Sequence, residues 1–206
     1  MNQERKGAIR LRYVAISGTV GAGKTTLLRR LIERLGDRVA FHEERPDENP
    51  YINIYYADTK RWSFHSQAAF LAQYFDDFIP REKAGGKDFY IYDRSVTENL
   101  IIAKYRLNQG DLDETEYAML EKLANGIASL LPPIDKFIYL DCPPLIIEDH
   151  MLTRGREYEE DLDLFYVYEV KKLYDEWAQT LPKEKTLVLD MTKEYDVDEI
   201  LKFLEN

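Results

Sequence analysis

Gly18-Thr19-Val20-Gly21-Ala22-Gly23-Lys24-Thr25 fits the pattern G-x-x-x-x-G-K-[ST] without a gap. Glycines in such a loop let the backbone curl until successive N–H groups converge on phosphate oxygens. A helix that starts at the loop adds its partial positive charge. In that setting Lys24 reaches the β- and γ-phosphates of a nucleotide, Thr25 ligates Mg²⁺, and Thr26 follows on the same helical turn. GTPase switches and motor ATPases use the same cradle, so the residues on the acceptor side must decide the reaction.

Four clusters follow. Glu43-Glu44 leads into Arg45-Pro46-Asp47-Glu48-Asn49-Pro50-Tyr51. A carboxylate there can take the proton of a hydroxyl nucleophile, or simply belong to an acidic surface loop. In Arg61-Trp62-Ser63-Phe64-His65-Ser66-Gln67, the residues Phe64, Ala68, Leu71, Phe75 and Phe78 continue at helical spacing as a candidate core stripe. Gln67, Phe70 and Tyr74 share a neighbouring face, where an amide can read the edge of a base. Asp93-Arg94-Ser95 offers a carboxylate for Mg²⁺ or a substrate hydroxyl and a guanidinium for a phosphoryl group in transfer. Ser95 and Glu98 also make a helix capping box, and the two roles are compatible. Arg154-Gly155-Arg156 suits a lid over phosphates, or a charged loop between helices.

These clusters need elements to carry them. Tyr13-Val14-Ala15-Ile16-Ser17, Val39-Ala40-Phe41-His42, Phe89-Tyr90-Ile91-Tyr92, Phe137-Ile138-Tyr139-Leu140 and Leu187-Val188-Leu189 are short apolar runs that read as buried strands. Helical spacing fills the intervals near 23–35, 61–79, 96–108, 113–130, 144–153, 162–180 and 196–204. Strands of this kind alternating with helices predict an α/β fold whose five-stranded parallel sheet is flanked by helices. Ligands then bind beyond the carboxyl ends of the strands, where the clusters lie. No repeat or linker divides residues 1–206, which predicts one domain.

Composition narrows the function classes. Lys and Arg total 28 against 38 Asp and Glu, a net charge of −10, which argues against general nucleic-acid binding. Cys142 is the single cysteine, so neither an internal disulfide nor a cysteine-rich zinc module is expected. His42, His65 and His150 lack metal-ligand spacing. The polar, basic residues from Met1 to Arg12 and the absence of any long apolar run predict a cytoplasmic protein without a membrane partner.

In this order the clusters resemble the deoxyribonucleoside kinase family, nearest its bacterial deoxyadenosine/deoxyguanosine kinase branch. The likeness runs from about Val14 to Trp177. It rests on the phosphate loop, on Glu44 with Asn49-Pro50-Tyr51, on Asp93-Arg94-Ser95, on Arg154-Gly155-Arg156 and on Tyr174-Asp175-Glu176-Trp177. The resemblance implies a P-loop kinase with an Arg-containing lid at about 153–161, ATP (or another nucleoside triphosphate) and Mg²⁺ at Thr25 and Asp93, and a homodimer. By the same resemblance Glu44 is the general base for a sugar 5′-hydroxyl, Tyr56 and Glu159 hold the 3′-hydroxyl, and Gln67 reads the base. Lys24, Arg94, Arg154 and Arg156 handle the phosphates.

Two positions depart from the family pattern. Tyr74 and Asn99 stand where an Arg and an Asp are usual, and both charges are lost together, which implies a changed base preference. The implied reaction is 5′-phosphorylation of a deoxyribonucleoside, purine favoured. A nucleoside monophosphate kinase would want a further cation near the acceptor, with Arg45 and Arg61 as candidates. A nucleotide-binding regulatory subunit without turnover is the other alternative.

Overall fold

The structure, a computed structural model, describes residues 10–76, 85–156 and 164–206. Five strands, β1 (Arg12–Ser17), β2 (Val39–His42), β3 (Phe89–Asp93), β4 (Lys136–Asp141) and β5 (Thr186–Asp190), form one sheet in the order β2-β3-β1-β4-β5. Every neighbouring pair is parallel, as the continuously apolar strand sequences predict. The helices are α1 (Lys24–Leu35), α2 (Ile52–Ala57), α3 (Thr59–Asp76), α4 (Asn99–Gln109), α5 (Glu114–Leu130), α6 (Pro144–Arg154), α7 (Leu164–Ala178) and α8 (Val197–Glu205).

Alternation along the strands builds two cores. Val14, Ile16, Phe89 and Ile91 point to the face covered by Leu27, Leu28 and Leu31 of α1 and by Ile200 and Leu204 of α8. Tyr13, Tyr90 and Tyr92 point to the other face and pack with Leu71 and Tyr74 of α3 and Leu120 and Ala124 of α5. Fully burying one such leucine stabilises the fold by about 1.5–3 kcal/mol.

Register does the positioning. Ile16 pairs with Asp93, and His42 pairs with Tyr92. The phosphate loop, Asp93-Arg94 and Glu43-Glu44 therefore leave three adjacent strands at one sheet edge.

Two expectations need correction. Phe75 is 57% exposed rather than core, and Phe78 lies outside the described residues. The buried face of α3 carries Ser63, Ser66, Gln67, Leu71, Gln73 and Tyr74, because Ser66 and Gln73 hydrogen-bond Asn49 and the Arg45 backbone of the segment after β2, and Tyr74 the Arg94 carbonyl. Sequence spacing also missed α2, whose six residues are too few for a periodic signal.

Candidate active site

The loop between β1 and α1 needs its glycines where the backbone is crowded. Gly18 has φ 147°, and a Cβ there would lie 3.1 Å from the Leu140 carbonyl oxygen. Gly21 has φ 77°, and a Cβ would lie 3.0–3.1 Å from Ile147 and Met151 of α6. The second glycine thus brings α6, the helix that ends at Arg154, against the loop. His150 of α6 fixes the contact, its Nδ1–H donating to the Gly21 carbonyl at 2.8 Å.

Glu98 braces the loop from the other side. Its carboxylate is fully buried and accepts from the Ser17 hydroxyl (2.8 Å), the Ser95 N–H (2.7 Å), the Ser95 hydroxyl (2.8 Å) and the Gly18 N–H (3.4 Å). The predicted capping box is present, and the same carboxylate ties the turn after β3 to the phosphate loop. Glu98→Ala strands those buried donors. We expect a loss of about 1–3 kcal/mol in unfolding free energy, read from the urea midpoint. An unchanged midpoint contradicts this bracing role.

The sheet edge opens into a cavity of about 670 Å³. Val20, Gly21, Gly23, Lys24, Thr25 and Thr26 line it from the loop side, with Glu43, Glu44, Asp93, Arg94, Arg154 and Arg156 around them. Gly18, Thr19 and Ala22 shape the loop without lining the cavity. The Lys24 ammonium donates to the carbonyls of Gly18 and Thr19 at 2.9 and 2.8 Å. Burial, and then the neighbouring Arg94 charge, lower its pKa to about 8.

A polyphosphate beside Lys24 favours the charged form, so nucleotide binding at high pH must take up a proton. We expect kcat/KM for ATP to fall above about pH 8, approaching tenfold per pH unit. Lys24→Arg shifts the break upward. A profile flat to pH 9.5 contradicts a titrating Lys24 in nucleotide capture.

Asp93 and Thr25 meet in front of the loop, the Thr25 hydroxyl donating to Asp93 Oδ2 at 2.7 Å. Asp93 Oδ1 is buried without a hydrogen-bond partner among the described residues, although burial itself raises the Asp93 pKa. An orphaned carboxylate oxygen beside a hydroxyl is a hard-oxygen donor set that fits Mg²⁺.

Arg94 has φ 80°, the one described non-glycine residue at positive φ. Such a backbone costs roughly 1–2 kcal/mol and is held on both sides. Its N–H donates to the Ile16 carbonyl at 2.9 Å, and its carbonyl accepts from the Tyr74 hydroxyl at 3.0 Å. The guanidinium is buried, with Nε 3.5 Å from Glu44 Oε1. Burial opposes its charge, and Glu44, Tyr174, Glu98 and Tyr74 together outweigh that effect.

A second recess adjoins the cavity. Ile52, Tyr55 and Tyr56 of α2, Gln67 and Phe70 of α3, Asn99 and Ile102 of α4, and Tyr166 of α7 line it. Val20, Glu44, Pro46, Arg94 and Arg156 line both spaces, so Glu44 and Arg94 stand at their junction. Glu43 faces only the larger cavity and pairs with Arg29 at 3.6 Å.

Tyr74 is placed differently from the sequence expectation. It does not line the recess. Its ring packs 4.5 Å from that of His42, and its hydroxyl is committed to Arg94. Burial raises its pKa well above the ordinary tyrosine value and keeps the phenol protonated. Glu159 lies outside the described residues, as does part of the expected lid.

Sequence reasoning missed several lining residues. His150, Met191 and Tyr195 border the larger cavity, whereas Thr153, which also lines it, falls within the span expected from the sequence. Met191 directly follows β5, and its N–H donates to the Asp141 carbonyl at 2.9 Å. Its place at a strand's carboxyl end was the available signal. Tyr55 is set by Arg106, whose Nε–H donates to its hydroxyl at 2.7 Å.

Comparison with known proteins agrees with this geometry. The family model for deoxynucleoside kinase matches residues 14–203. The deoxyadenosine/deoxycytidine kinase of Bacillus subtilis is 35% identical over 167 residues, covering 80% of this chain and 75% of that protein. The deoxyguanosine kinase of the same organism is 26% identical, covering 79% of this chain and 76% of the relative. The solved structure of deoxyadenosine kinase from M. mycoides with bound dATP superposes with a TM-score of 0.79 at 26% identity, covering 95% of this chain and all (100%) of that one. With its phosphate loop, paired cavities and extended match, this chain belongs to the deoxynucleoside kinase family.

Proposed function

We propose that this chain transfers the γ-phosphoryl group of ATP, or of another nucleoside triphosphate, to the 5′-hydroxyl of a deoxyribonucleoside. The observation that carries the reading is Glu44, the carboxylate shared by the phosphate cavity and the adjoining recess. The loop amides and Lys24 cradle the donor. Glu44 takes the 5′-hydroxyl proton as the oxygen attacks phosphorus. The bond from the γ-phosphorus to its bridging oxygen breaks, and the nucleoside diphosphate leaves. Arg94, with Arg154 and Arg156 from the lid, stabilises charge on the group in flight. Thr25 and Asp93 would hold Mg²⁺, which supplies charge neutralisation at the phosphates. Gln67 reads the base, Tyr56 and Glu159 hold the sugar 3′-hydroxyl, and Asn99 completes the base side. The names of three relatives, for deoxyadenosine/deoxycytidine, deoxyadenosine and deoxyguanosine kinases, support a deoxyribonucleoside acceptor and favour a purine by their number.

A neutral acceptor fits better than a monophosphate. Arg45 and Arg61 line neither space. Arg45 pairs with Glu48 at 2.7 Å, and Arg61 lies over the Trp62 ring. Retention of Lys24, Thr25, Glu44, Asp93 and Arg94 around one cavity supports turnover over a purely regulatory role.

The chain acts as one kinase domain and as a cytoplasmic homodimer. Met119 and Leu123, one turn apart on α5 and 51% and 46% exposed, support self-association through that helix. No helix of the described residues is long and apolar enough to cross a membrane.

The test is coupled ATP/Mg²⁺ turnover across the four common deoxyribonucleosides, their ribonucleosides and their monophosphates. We expect turnover on deoxyribonucleosides. Turnover confined to monophosphates, or ATP binding without any turnover, overturns the proposal.

A further inference from the structure

Glu44 stands where the main chain leaves the sheet. β2 ends at His42, whose pairing with Tyr92 is the last between those two strands. Among the described residues no hydrogen bond reaches the Glu44 main chain, and its carboxylate has one charged partner, Arg94 at 3.5 Å. A base must still be held within a fraction of an ångström of its working position, so a neighbouring residue has to fix this stretch.

Gln73 of α3 grips the very next residue. Its Oε1 accepts from the Arg45 N–H at 3.1 Å, and its Nε2 donates to the Arg45 carbonyl at 2.8 Å. An N–H only donates and a carbonyl only accepts, so a single orientation of the carboxamide satisfies both. The side chain exchanges a pair of bonds with one residue as a neighbouring antiparallel strand would, at the point where β2 has lost its pairing with β3. About two helical turns earlier on α3, Ser66 takes the far end of the segment. Asn49 Nδ2 donates to the Ser66 carbonyl at 3.1 Å and to its hydroxyl at 3.2 Å. Gln73 is 6% exposed and lines neither cavity, so it lies behind the site and reaches it through Arg45.

We infer that Gln73 is a positioning residue for phosphoryl transfer, its carboxamide clamping the Arg45 main chain so that the Glu44 carboxylate is held at the junction of the two cavities. A polar side chain buried on a helix costs stability unless it is hydrogen-bonded, and here both bonds go to the residue beside the base. Without the clamp, the chain from Glu43 to Arg45 can shift. A displacement of about 1 Å in a reacting group costs up to about 10²-fold in rate. The inference rests on Glu44 as the base in the reading above, and the experiment separates the failure of one from the failure of the other.

The experiment is a double-mutant cycle on kcat. It uses the whole chain with ATP, Mg²⁺ and the deoxyribonucleoside the wild type turns over fastest, and reads transfer of label from γ-³²P-labelled ATP. Gln73→Met keeps the length of the side chain and removes both bonds. We expect it to lower kcat by about 10- to 100-fold in the wild-type background. The Kd for ATP should stay within a few-fold, because Gln73 touches no residue of the phosphate loop. In the Glu44→Gln background the base is already gone, and the same change should cost less than about threefold. A merely structural role lowers kcat alike in both backgrounds. An equal loss in both, or wild-type kcat in Gln73→Met, overturns the inference while leaving a nucleoside kinase. Should Gln73→Met fail to fold by circular dichroism, Gln73→Glu carries the same cycle, since it still accepts from the Arg45 N–H and has no hydrogen for the carbonyl. If neither variant folds, Gln73 serves the fold alone and the inference is overturned. Near-wild-type kcat in Glu44→Gln removes the base assignment, and this inference with it.

Discussion

Glu44→Gln lowers kcat by about 10²- to 10⁴-fold and leaves the nucleoside KM within a few-fold of wild type. The side chain lines both cavities, is 21% exposed, and is thus reachable by a bound hydroxyl. Glutamine keeps the size and the hydrogen-bonding reach and removes only the capacity to take a proton. The loss should therefore appear in the transition state and not in ground-state binding. The substitution also leaves the buried Arg94 without its nearest counter-charge. An ATP Kd measured on the variant separates that effect, because a displaced Arg94 weakens donor binding and a missing base does not. Near-wild-type kcat rejects Glu44 as the base. Glu43→Gln is the matched control, since Glu43 faces only the phosphate cavity, and its effect should stay within about tenfold.

Arg94→Asn should lower kcat by about 10³-fold or more, the scale on which a guanidinium stabilises phosphoryl transfer. Asparagine suits the test because it tolerates positive φ better than most residues. The variant therefore keeps the backbone turn at φ 80° and loses only the charged fork. Arginine is a poor residue for that conformation, and its strain is held in place by Ile16 on one side and Tyr74 on the other. A costly backbone carrying a buried cation at the junction of two cavities is what a positioned electrophile requires. If Arg94 were there for packing, kcat would stay within a few-fold while the unfolding midpoint fell. We expect the opposite pattern, with the main loss in kcat. Arg154 and Arg156 line the same cavity, so a double variant with Arg154 should fall short of additive.

Much of the phosphate side was legible in the chain because its signals are local. Gly18 to Thr25 are contiguous, and each strand is a short apolar run that needs no partner to be recognised. Ser95 and Glu98 announced a capping box by their spacing, and the box is present. Spacing did not show that Glu98 also reaches Ser17 and Gly18, because those contacts span about eighty residues and depend on the pairing of β1 with β3. The same is true of Glu44 and Arg94, which meet because His42 pairs with Tyr92 and each lies two residues beyond that pair, past the end of its strand.

The acceptor side was less legible for a different reason. On α3 the apolar stripe suggested the buried face, yet the residues actually buried include Ser63, Ser66, Gln67 and Gln73. A helix that walls a polar site inverts the usual rule, and hydropathy then misplaces residues such as Phe75. Tyr74 shares a helical face with Gln67 in the sequence, but its hydroxyl turns to the Arg94 carbonyl and its ring to His42. The pairing of Tyr74 with Asn99 was visible as a joint departure from the family pattern, and the direction of their hydrogen bond was not.

The most direct test of the central claim is the identity of the phosphorylated product. Wild-type chain, ATP, Mg²⁺ and deoxyadenosine are incubated together, and the product is read by proton-coupled ³¹P NMR. A 5′-monophosphate couples to two methylene protons, and we predict a new triplet at monophosphate shift growing in step with ADP. A doublet, from phosphate on the 3′-oxygen, or ADP formed with no nucleotide product, would contradict phosphoryl transfer to the 5′-hydroxyl at Glu44.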